Sequence, residues 1–101
     1  MERLEEGLKL LAKLDVSLTQ KEISLQDLQS KIYSTVLNVA PHFDHPSDIN
    51  HVDRIATRLH EEIERVIYCE FEASYIEKGK EVIQKAKEDL KSLYHDYQAK
   101  H

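Results

Sequence analysis

Glycine and proline occur only twice each in 101 residues, cysteine once, and tryptophan not at all. So few turn-forming residues cannot punctuate a fold of many short strands. Two glycines are also too few for a backbone cradle that holds phosphate, and no cofactor is expected. A single thiol builds no internal disulfide framework. Cys69 has no activating neighbour that the sequence can assign, so it reads as a small buried apolar residue. No run of about 20 apolar residues is present, so no membrane insertion is expected. The opening stretch MERLEEGLKLLAKLD is studded with charge where a secretory signal needs an unbroken apolar core, which leads to the expectation of an intracellular protein. A basic excess is missing too. Nineteen acidic residues against 14 basic ones leave a net charge of −5, which argues against a general nucleic-acid binder.

What the chain does have is charge (33%) and apolar side chains (41%) in proportions that suit a folded domain. They are arranged with a helical period. Steps of seven from Leu4 land on Leu11, Leu18, Leu25, Ile32 and Val39, all apolar. Steps of seven from Val52 give Leu59, Val66 and Ala73, with Ile55, Cys69, Ile76, Ile83 and Leu90 on the companion seam. Glu62, Lys80 and Lys87 interrupt the second pattern. Strands would need a period of two, which neither segment shows. The expectation is one all-α domain, residues 1–101, built as an antiparallel hairpin: a helix over about 2–40, a turn over about 41–47 and a helix over about 48–97. At about 1.5 Å per residue the helices would be roughly 55 and 75 Å long.

Two weak points could divide these rods. Thr19 to Glu22, TQKE, reads as a capping box, and a break near Thr19 would give a three- or four-helix bundle. Gly79 is a poor helix former, by about 1 kcal/mol relative to Ala. The seven-residue phase runs through Thr19 without a shift, which favours continuity.

The stretch between the seams, HFDHPSDINHVD, holds three histidines and three aspartates. Pro41 and Pro46 make it a turn. Ser47 or Asp48 is placed to cap the following helix, and Phe43 to plug the end of the core. As a metal site it offers His42, Asp44, His45 and His51, a nitrogen and oxygen donor set with no established ligand spacing. His60 and Glu64 share a helix face, as many solvated pairs do. The lysines of residues 78–101 are interrupted by acids and read as a solvated face.

Off the seams lie further apolar residues, among them Leu8, Leu10, Val16, Ile23, Val36 and Leu37 in the first segment. In the second, Ile63, Ile67, Phe71 and Tyr75 recur every four residues, with Val82 beyond. A two-helix hairpin hides only one stripe of each helix, so these five residues are the expected partner-binding surface. The functional expectation is a non-enzymatic interaction module: a coiled-coil hairpin that is a subunit or adaptor of a larger complex, or a homodimer forming a four-helix bundle. Its partners would be protein helices. The alternatives are a small helical metal-binding protein using the histidine-rich turn, and a self-contained bundle that inhibits a partner.

Overall fold

The computed structural model describes residues 2–68 and 75–100. Those residues form four α-helices: α1 (Glu2–Thr19), α2 (Leu25–Val39), α3 (Pro46–Tyr68) and α4 (Tyr75–Lys100). The all-α expectation holds, and the two long rods do not. Each is divided, and the long axis of the molecule is 44 Å. The helices run up, down, up, down. Lys80 at the start of α4 pairs with Asp15 near the end of α1, and Lys85 pairs with Glu62 of α3 at 3.1 Å. A continuous helix would hold Glu62 and Lys85 about 35 Å apart.

The first break is a hydrogen-bonded reversal. The Lys21 N–H donates to the Leu18 carbonyl and the Glu22 N–H to the Ser17 carbonyl, at 3.1 and 2.8 Å. This is the Schellman pattern that satisfies the last carbonyls of a helix. Its left-handed position is Lys21, at φ 59°. Thr19 is therefore not a cap: it sits in the last turn of α1, its hydroxyl donating to the Asp15 carbonyl. Ser24 caps α2 instead, accepting from the Asp27 N–H at 3.1 Å. At α3 the expected oxygen cap is replaced by a nitrogen. The Ser47 N–H donates to His45 Nδ1 at 3.2 Å, and Pro46 opens the helix where its missing N–H costs nothing.

The core is continuous, and every helix contributes to it. Leu11 and Leu18 of α1, Leu28 and Ile32 of α2, Leu59 and Ile63 of α3, and Ile83 and Leu90 of α4 are fully buried. The cross-section is a flattened diamond. Helices α2 and α4 meet across the short diagonal, whereas no Cα of α1 comes within 8 Å of one in α3. Two glycines let α1 pack closely against α2 and α4. A Cβ on Gly7 would stand 3.1 Å from Val39, and one on Gly79 would stand 2.6 Å from the buried Leu18. Gly79 is thus a packing position, and its weak helix propensity is the cost of that fit.

Three aromatic residues close one end. Phe43 is buried and meets Tyr97 edge-on, with ring centroids 5.6 Å apart, as its role of plug requires. The buried Tyr94 hydroxyl donates to the Val39 carbonyl at 2.6 Å, a helix-end acceptor with no further intrahelical donor. Because the four-helix bundle closes inside one chain, two copies are not needed to complete it.

Two outcomes follow for stability. Lys21→Gly relieves a left-handed non-glycine residue and should raise stability by about 0.5–1 kcal/mol, read by urea denaturation, with Lys21→Val lowering it. Tyr94→Phe strands the Val39 carbonyl and should cost about 1–3 kcal/mol. Burial pushes the Tyr94 hydroxyl above the usual tyrosine range, with Arg3 opposing and Tyr97 adding. The folded state therefore holds this proton more tightly than the unfolded chain. The wild-type advantage should be complete below about pH 10 and fade as the pH rises beyond it, as urea titrations of both proteins can show.

Candidate functional surface

The histidine-rich turn does not gather into a site. His42 Nε2 meets the Arg3 guanidinium, which also donates to the Asn38 carbonyl. His45 is turned onto Ser47, whose hydroxyl lies 2.7 Å from Nδ1. Asp44 and His51 are exposed. Among the described residues no three His, Cys, Asp or Glu side chains converge to hold a metal ion. His60, paired with Glu64 in the sequence reading, faces α2 instead. Gln29 Nε2 donates to its carbonyl at 2.9 Å, and Tyr33 meets its ring edge-on.

The expected partner-binding stripe is also redistributed. Ile63 is 0% exposed and Val82 5%, so both belong to the core. Ile67 and Tyr75 are half-buried and pack against it. Phe71, like Cys69, lies outside the described residues. Ile63 and Ile67 lie on α3 and Tyr75 on α4, so these three do not share one helix face.

Among the described residues, the large apolar side chains left outside are Leu10, Val16, Leu37, Ile49 and Tyr68. Three of them are off-seam residues of the first segment, and they fall at clefts between helices. Leu37 and Ile49 flank a notch of about 340 Å³ where α2 turns into α3. Val16 borders a cleft between α1 and α4. Leu10 stands in a groove of about 670 Å³ between α1 and α2. Leu14 and Val39 form its bottom, and Lys13 and Lys31 face it from opposite walls. Neither lysine has an ion-pair partner among the described residues.

By contrast, charge on the α3–α4 seam is internally compensated. Lys85 Nζ reaches both Glu62 oxygens at 3.1 and 3.2 Å, and Arg58 lies 3.8 Å from Asp89. Burial raises the Asp89 carboxyl above its ordinary range, against the attraction of Arg58. Glu62 and Glu88 push the same way as burial, and Lys85 opposes them. This seam is therefore a structural contact between two helices of the same chain.

The chain matches no protein-family model, no curated protein and no solved structure.

Because the folded Asp89 carboxyl holds its proton more tightly than in the unfolded chain, ionising it opposes folding. The contribution is favourable below about pH 4 and is lost as the pH rises through the raised value. Asp89→Asn should therefore raise the melting temperature at pH 7, and the gain over wild type should shrink as the pH falls towards 3. Calorimetric scans of both proteins across that range test it.

Proposed function

We propose that this chain is a non-enzymatic protein–protein interaction module, a four-helix domain that docks on the helices of another protein as a subunit or adaptor of a larger complex. The observation that carries the reading is where the surplus apolar side chains lie. The bundle hides its core within one chain, yet Leu10, Leu37 and Ile49 remain outside, each set in a cleft between two elements. Helix–helix recognition uses clefts of this kind, with apolar anchors supplying affinity and flanking charge supplying orientation. Hiding one such side chain contributes about 1.5–3 kcal/mol.

A second reading shares the geometry. A bundle that closes by itself suits a free-standing inhibitor, which binds its target as a stable monomer. A monomer with a cooperative melt favours that version, and a chain recovered only in a complex favours the subunit.

Photo-crosslinking separates this proposal from its negation. A benzophenone amino acid is placed at Leu10, Leu37, Ile49 or Tyr68, with exposed Glu88 as the control, and the chain is returned to its native source. A discrete protein adduct is expected from at least one of the four positions and none from Glu88. No adduct from any of the four overturns the reading.

A further inference from the structure

We propose that the α1–α2 groove receives an amphipathic helix with acidic flanks, contributed by a partner protein. This assignment rests on the interaction-module reading and specifies its occupant. Size is the first argument. From Arg3 to Ser17 the α1 wall runs about 21 Å, four turns of a helix. Two antiparallel helices with an open cleft between them offer a third helix ridges to pack against. Its apolar residues at i, i+4 and i+7 would meet Leu10, which is 40% exposed, and the groove bottom at Leu14 and Val39.

Charge is the second argument, and it selects the partner. The molecule is acidic overall at −5, yet this groove carries Arg3, Lys13 and Lys31 against Glu6 alone. That is three positive charges and one negative, a local balance of +2. Arg3 is already fastened to Asn38 and His42. Lys13 and Lys31 have no ion-pair partner among the described residues, and both line the same cleft. Carboxylates along both edges of an incoming helix pair with these cations, speed its approach and fix its register. The Leu37–Ile49 notch lacks this selectivity, since Asp53 and His42 share its lining. A membrane surface fits less well, because the cations here border an elongated cleft with an apolar bottom.

The test is a selection followed by two variants. The probe is a display library of 18-residue helical peptides with leucine fixed at i, i+4, i+7 and i+11 and the flanking positions drawn from Glu, Lys, Gln and Ser. It is panned against the full chain. Glutamate-flanked peptides should be enriched. Their affinity should fall at least tenfold on Lys13→Glu with Lys31→Glu, and by less on the two Gln substitutions. Lysine-flanked peptides should then bind the charge-reversed chain. Both lysines are exposed, and circular dichroism melts verify that the variants fold. Amide chemical-shift changes should map to the facing sides of α1 and α2. Neutral or lysine-flanked winners, the absence of any binder, or affinities blind to the substitutions overturn the proposal. So does a homodimer in sedimentation equilibrium that the same variants abolish, which assigns the groove to a second copy. Flotation with phosphatidylserine vesicles, lost in the same variants, overturns it in favour of a lipid surface. Crosslinks from Leu37, Ile49 or Tyr68 without one from Leu10 retain the interaction module and discard this groove.

Discussion

Everything in this molecule depends on α4 lying against the other three helices at once. It buries Ile83, Ala86, Leu90 and Leu93 among side chains of α1, α2 and α3. Its Tyr94 ties off the end of α2, and its Gly79 lets Leu18 come close. Without that packing α1 and α2 would form a hairpin with one unfilled side, and α3 would keep only its contact with α2. The flattened cross-section follows as well. With α2 and α4 meeting in the middle, α1 and α3 are held apart, and their outer flanks supply the grooves.

How much of this the sequence shows depends on which signal carried it. Helical class is plain, because a period near 3.6 over most of the chain has no strand equivalent. The turn at residues 40–45 and the plugging role of Phe43 are plain for the same kind of reason: two prolines and one large apolar residue in a polar stretch. The break after Thr19 is concealed by an accident of register. Leu18 and Leu25 are seven apart and both pack inwards, but from different helices, because each helix finds its own phase against the core. An unshifted heptad therefore does not prove continuity. The second break left a clearer trace. Lys80 and Lys87 violate the seam carried on from Val52, whereas Gly79, Ala86 and Leu93 are buried one position earlier. The trace is partial, since Ile83, Leu90 and Tyr94 are buried in the old register.

The candidate surface was harder to see. The stripe from Ile63 to Tyr75 looks surplus only if the helices are few and long. With four short helices there are more inward faces, and Ile63 and Val82 fill them. The residues that do stay outside, Leu10, Val16 and Leu37, stand in the sequence as off-seam apolar positions. No pattern along the chain reveals that Lys13 and Lys31 line one groove, since they lie on opposite sides of a reversal. That reversal is fixed by backbone hydrogen bonds around Lys21, a residue that carries little turn propensity of its own.

The order of pairing along the chain has a consequence for biosynthesis. Helix α1 finds two neighbours, α2 straight away and α4 only after residues 75–100 have left the ribosome. Until then the flank of α1 around Gly7 and Leu11 is bare, and a nascent chain offers it to chaperones or to a neighbouring polypeptide. The packing of α1 is therefore completed only when the last helix of the chain becomes available.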